Sequence, residues 1–143
     1  MKRFRLVLCL LTAMVVLVGC SGSKKLTCTH EAEYEGETQK AQSIYTFDKK
    51  GEKLSSLTYI QTIGLKDKDD LDEYYEAGQK ICDNANEEEG VSCKMSRATG
   101  SVTMTTTITM SKLGAEERKE LEENGANYDD LKKEYEDKGF TCK

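Results

Sequence analysis

The chain has 143 residues, a third of them charged, with 26 acids against 21 bases and a net charge of −5. That balance repels phosphate backbones and anionic lipid heads, which argues against nucleic-acid binding and against a domain lying flat on a membrane. A single histidine among 143 residues leaves little for a histidine-based metal site.

The first nineteen residues divide into a basic start (Lys2, Arg3, Arg5), an apolar run from Leu6 to Val18 and a small residue, Gly19, which is the order of a secretory signal. The run falls short of the about 20 apolar residues that cross a hydrocarbon core of roughly 30 Å, and Ser21-Gly22-Ser23-Lys24-Lys25 turns polar at once. Leu17-Val18-Gly19-Cys20 looks like a lipobox, in which the cysteine sulfur receives a diacylglyceryl group and the chain is cut just before it. The expected product is anchored on the extracytoplasmic face of the cell membrane through Cys20, with residues 20–25 as a lipidated tether and 26–143 as a single domain. Cleavage removes three basic residues and no acidic one, taking the net charge from −5 to −8. Two acyl chains hold firmly where a single chain binds only marginally, so the anchor needs no help from the folded domain.

Of six cysteines, Cys9 leaves with the signal and Cys20 is lipidated. Cys28, Cys82, Cys93 and Cys142 remain, in a compartment where disulfides persist. They contain no Cys-x-x-Cys, which disfavours zinc. Four cysteines allow three connectivities, and chain geometry favours Cys82–Cys93 across a short acidic loop and Cys28–Cys142 between the two ends of the domain.

From Leu26 the residues alternate. Leu26, Cys28, His30, Ala32 and Tyr34 fall on one side, and Thr27, Thr29, Glu31, Glu33 and Glu35 on the other, predicting a half-buried strand. A second strand is expected over Gln42–Asp48 with Tyr45 and Phe47 on one face, and a third over Lys53–Ile63 with Leu57, Tyr59 and Ile63. Asp48-Lys49-Lys50-Gly51 suits the hairpin turn between them. The period then changes: Leu71, Tyr74, Tyr75, Gly78, Ile81 and Cys82 predict a helix over about 69–84 that lies across the sheet. Asn84–Gly90 reads as an acidic loop. Val91, Cys93 and Met95 resume the alternation, and after a turn at Ala98-Thr99-Gly100 the run Val102–Met110 alternates apolar residues with threonine. A short charged helix is expected over Ala115–Glu123, and another after an Asn127 cap, with Tyr128, Leu131 and Tyr135 on one face and Gly139 as its stop. The order β-β-β-α-β-β-α-α predicts an α+β fold, an antiparallel sheet of about five strands with helices packed on one face.

No linear motif supplies a catalytic nucleophile, and His30 reads as a structural or edge residue. The acids of Asp67-Lys68-Asp69-Asp70-Leu71-Asp72-Glu73 are spaced as in a calcium loop, but Leu71 takes a ligand position and the sharp-turn glycine is missing, so a solvated helix start explains them better. The sequence predicts no catalytic residue, no metal ligand and no cofactor. Ile44 and Ile60 stand on the strand sides opposite Tyr45 and Tyr59. If helices cover one face only, these isoleucines face outward among threonines and mark a candidate partner-binding patch.

The lipobox, the Leu26-Thr27-Cys28-Thr29 entry into threonine- and charge-rich strands and the Gly139-Phe140-Thr141-Cys142-Lys143 ending together resemble the small lipoproteins of low-GC Gram-positive bacteria, of the YehR-like kind. The resemblance implies an α+β lipoprotein and carries no activity with it; the additional Cys82 and Cys93 pair departs from that pattern. The expected function is a membrane-anchored, non-catalytic binding or envelope-accessory module with an envelope protein as partner. The alternatives are an enzyme whose site no linear motif reveals and a weak divalent-cation binder.

Overall fold

The computed structural model describes residues 22–34, 37–124 and 127–143. The signal segment, the lipobox and Cys20 lie outside the described residues. The three expected opening strands form as β1 (Lys24–Tyr34), β2 (Glu37–Phe47) and β3 (Leu54–Gly64), followed by α1 (Lys68–Ala85) and the hairpin β4 (Val91–Ala98) and β5 (Ser101–Thr109). A 3-10 turn at Met110–Lys112 leads to α2 (Ala115–Asn124), α3 (Tyr128–Asp137) and a two-residue strand, β6 (Thr141–Cys142). The architecture is α+β: one antiparallel sheet in the order β4-β5-β3-β2-β1-β6. The sixth strand is too short to show a period, β1 begins two residues before the alternation does, taking in Lys24 and Lys25, and β2 begins five residues before the expected Gln42, where its polar residues pair with β1.

Local chemistry explains the boundaries. In the β2–β3 turn the Asp48 side chain accepts hydrogen bonds from the backbone N–H of Glu52 (2.9 Å) and Lys53 (3.4 Å), while Gly51 takes a φ of 77°. Those N–H donors hold the Asp48 carboxyl below the usual carboxylate range. Asp67 caps α1 by accepting from the Asp69 N–H at 2.7 Å, so the acidic run is a helix start. Asn127 caps α3 through the N–H groups of Asp129 and Asp130, both at 3.1 Å.

The register puts every alternating apolar position on one face. Leu26 pairs with Tyr45, Tyr45 with Leu57, Leu57 with Ile108 and Ile108 with Val91. Two helices share that face and divide the core. α1 covers β4 and β5 and closes a cluster of Leu65, Leu71, Cys82, Cys93, Met95 and Val102. α3 lies against β1 and β6, where Tyr128, Leu131, Tyr135 and Phe140 pack on Leu26, Cys28, Tyr45 and Phe47. Burying side chains such as Phe47 and Leu26, which are at most 1% exposed, stabilises the fold by about 1.5–3 kcal/mol each.

Each cluster carries one disulfide. Cys28–Cys142 joins the central part of β1 to the tail, with the two residues directly opposite in the β1–β6 register, and Cys82–Cys93 ties the end of α1 to β4. These are the pairs that chain geometry favours. Arg97 adds a polar clamp to the first cluster, with its guanidinium 2.6 Å from Asp72 and 4.3 Å above the Tyr75 ring.

Candidate functional site

The apolar stripe of α1 is wider than the part of it that packs on β4 and β5. Viewed down the helix at 100° per residue, Leu71, Tyr75, Gly78 and Cys82 fall within about 60° of one another, whereas Tyr74 and Ile81 lie about 60° and 80° to one side of Leu71. The first group faces β4 and β5; Leu71, Gly78 and Cys82 are buried. The second overhangs the centre of the sheet, leaving Tyr74 45% and Ile81 57% exposed. Gly78 sets how closely the helix approaches, because a Cβ there would stand 2.6 Å from the Met95 methyl and 2.7 Å from its sulfur.

Under the overhang is an open pocket of about 290 Å³. Tyr74, Ala77 and Ile81 form its helical wall, and Gln61 and Ile63 of β3 with Met95, Met104 and Val102 form its floor. Gln61 and the Tyr74 hydroxyl are the polar groups of an otherwise apolar lining, and the two methionines give the pocket an adaptable surface. One row along β3, Tyr59 is 37% exposed, opposite Ser43 and Thr106. Three of the four exposed large hydrophobics among the described residues, Tyr59, Tyr74 and Ile81, therefore lie on the helical face, near the line where the two core clusters meet.

Towards α3 the same face holds a hydroxyl cluster. The Tyr45 and Tyr135 hydroxyls are 2.7 Å apart, and Ser43, buried at 1% exposure, donates to Tyr135 at 3.5 Å. Burial, then the Tyr135 hydrogen bond, then the charges of Tyr135 and Glu134 push the Tyr45 phenol well above its ordinary value. A phenol held neutral in this way is a hydrogen-bonding group that fixes α3 to β2.

His30 sits at the edge of this cluster, its ring 5.0 Å from that of Phe140 and its Nδ1 3.5 Å from the Gly139 carbonyl. Among the described residues no group of three or more histidine, cysteine, aspartate and glutamate side chains is arranged to hold a metal ion. No described helix is long and apolar enough to cross a membrane.

Ile44 and Ile60 lie on the opposite face of the sheet, both half-buried. Ile44 pairs with Thr58 and Ile60 with Gln42, so the two are diagonal neighbours, surrounded by Thr27, Thr105 and Thr107. The larger exposed apolar surface is on the helical side. Tyr74 and Ile81 read as core from their spacing, and Ala77 and Gln61 carry no signal in the sequence. The width of the α1 stripe is the signal that separates the overhanging residues from the core.

No protein-family model matches the chain, and neither a curated protein nor a solved structure matches it.

Proposed function

We propose that this protein is a lipid-anchored, extracytoplasmic, non-catalytic binding module, and that the groove beside α1 receives an apolar side chain of an envelope protein. The gathering of Tyr59, Tyr74 and Ile81 on one face carries this reading. Aromatic residues around a small apolar pocket are the usual makings of a binding hot spot, and 290 Å³ is at the low end for a ligand site and suits one inserted side chain. The cluster leaves apolar area in water, an arrangement that a partner's side chain would relieve.

The anchor reading rests on the lipobox at Leu17–Cys20. With β1 starting at Lys24, residues 21–23 separate Cys20 from the sheet, a reach of about 10 Å fully extended. A module on so short a tether meets partners at the membrane surface. Intact-mass analysis of the membrane fraction should find an N-terminal diacylated Cys20, and a Cys20→Ala precursor should lack it. The same diacylated N-terminus in that variant would refute the assignment.

The binding surface is tested by pull-down from detergent-solubilised envelope with three full-length proteins: wild type, a Tyr74→Asp, Ile81→Asp variant and an Ile44→Asp, Ile60→Asp variant. The groove reading expects the specific partner to vanish with the first pair of changes and to persist with the second. The reverse pattern would move the site to the open sheet face, and identical lists from all three would sink both.

A further inference from the structure

The sheet face turned away from α1 and α3 has an unusual composition for a surface. Its register forms a grid whose three middle rows read Ser92-Thr107-Thr58-Ile44-Thr27, Lys94-Thr105-Ile60-Gln42-Thr29 and Ser96-Thr103-Thr62-Lys40-Glu31. Lys25, Thr46, Ser56 and Thr109 lie beyond one side of these rows, and Glu33, Thr38, Gly64, Ser101 and Ala98 beyond the other. The three central strands β2, β3 and β5 place one charged residue, Lys40, on this face, in a chain that is 33% charged. Depletion of charge at the centre with charge kept at the rim is the compositional mark of a protein interface. Ladders of paired hydroxyls, Thr58–Thr107 at 3.1 Å and Thr62–Thr103 at 3.0 Å, satisfy part of the polar surface within the sheet. No aromatic ring stands on the grid, so it lacks the stacking platform that a sugar polymer would use.

We propose that this face packs against the same face of a second copy, giving a two-fold dimer of helix-sheet-sheet-helix layers. Five strands about 4.8 Å apart and five rows about 6.7 Å apart cover roughly 800 Å², the area each partner contributes to a stable interface of standard size. The rim charges choose the axis. Lys94 on β4 and Glu31 on β1 stand at opposite sides of the sheet, one row apart. A two-fold axis along the strands lays β4 over β1, β5 over β2 and β3 over itself. It brings Lys94 of each copy within reach of Glu31 of the other and Ile60 onto Ile60. An axis across the strands would instead set the two Lys94 side chains together. The strand-parallel axis also puts both chain entries, at Lys24, at the same end of the dimer, and this second argument for the axis rests on the anchor reading, since two lipidated Cys20 residues then enter one membrane. The helical faces and their grooves remain outward on both sides.

The test uses the full-length protein extracted in detergent, its mass followed by sedimentation across a concentration series, alongside melting curves that confirm folding. Wild type should be dimeric. Ile60→Asp should be monomeric with an intact melt, and Lys94→Glu should raise the dimer dissociation constant about tenfold or more by setting like charges together twice. Adding Glu31→Lys to Lys94→Glu should restore the wild-type constant. A zero-length carbodiimide cross-link between Lys94 and Glu31 should join differently isotope-labelled copies. A monomeric wild type, or a dimer indifferent to Ile60→Asp, would overturn the proposal. A dimer that is lost in Ile60→Asp but is not restored when Glu31→Lys is added to Lys94→Glu would overturn the strand-parallel axis. A monomeric wild type together with loss of an envelope protein in the Ile44→Asp, Ile60→Asp pull-down would assign the face to that other occupant. Absence of lipid on Cys20 beside a rescued dimer would reject the anchor and leave the dimer standing.

Discussion

Removing the two disulfides one at a time should give unequal losses, because they close loops of very different length. Cys28 and Cys142 are 114 residues apart and Cys82 and Cys93 are 11 apart. Loop-closure entropy then assigns about 5 kcal/mol to the first and about 3 kcal/mol to the second. Cys28, Cys82 and Cys93 are at most 7% exposed and Cys142 is half-buried, so replacing the first pair by alanine loses no more packing than replacing the second, and a larger loss for the first pair comes from the loop. The tail keeps two backbone bonds to β1 without its disulfide, from Thr27 N–H to the Lys143 carbonyl and back, each at 2.9 Å, so β6 has a way to stay in place. Equilibrium urea unfolding of Cys28→Ala, Cys142→Ala and of Cys82→Ala, Cys93→Ala provides the assay. With an m-value of about 2 kcal/mol/M, the midpoints should fall by about 2.5 M and about 1.5 M. Equal shifts, or a larger one for the Cys82–Cys93 pair, would show that loop length does not set the stabilisation.

Two glycines with positive φ should respond differently to alanine. At Gly90 (φ 82°) a Cβ would stand 2.8 Å from the Leu113 nitrogen and 2.9 Å from the Lys112 carbonyl carbon, both backbone, whereas at Gly139 (φ 87°) it would meet nothing within 4 Å. Both changes bear the left-handed cost of about 1–2 kcal/mol, and Gly90→Ala should lose at least about 1 kcal/mol more by chemical denaturation. Gly78→Ala should stay within about 1 kcal/mol of wild type, because the gain in helix propensity offsets a contact with the flexible end of Met95. The raised Tyr45 phenol makes the folded state hold its proton where the unfolded chain has released it. Its contribution is therefore complete below the unfolded value of about 10 and is lost as pH rises above it, at no more than about 1.4 kcal/mol per pH unit. Tyr45→Phe should lower stability at neutral pH by about 1 kcal/mol through the lost hydrogen bond, and should flatten the alkaline decline in a pH series of melting curves.

The strands were legible because threonine and the apolar residues alternate so strictly. Leu26, Cys28, Tyr45, Phe47, Val102 and Met104 all fall on the face that their parity indicates. The α1 pattern located a helix of 18 residues to within a residue at each end, and Asp67 and Asn127 serve as the caps their type suggests. The β6 strand was not legible, since pairing at Cys142 depends on a partner 114 residues away rather than on any local period. Nor was the groove. Sequence periodicity says which side of α1 is apolar, but how much of that side the sheet covers depends on where the helix axis lies, and Gly78 and Met95 set that in three dimensions. Tyr74 and Ile81 therefore read as core although roughly half of each side chain meets solvent.

The proposed function requires that the groove engage a partner at the membrane. A photoreactive amino acid placed at Ile81 in otherwise intact, living cells tests this most directly, with a second at Glu120 on the exposed helix α2 as the control. A discrete cross-linked envelope protein is expected from position 81, absent from position 120 and lost when Ala77→Trp fills the pocket. The same adducts from both positions, or an adduct at 81 that survives Ala77→Trp, would contradict it.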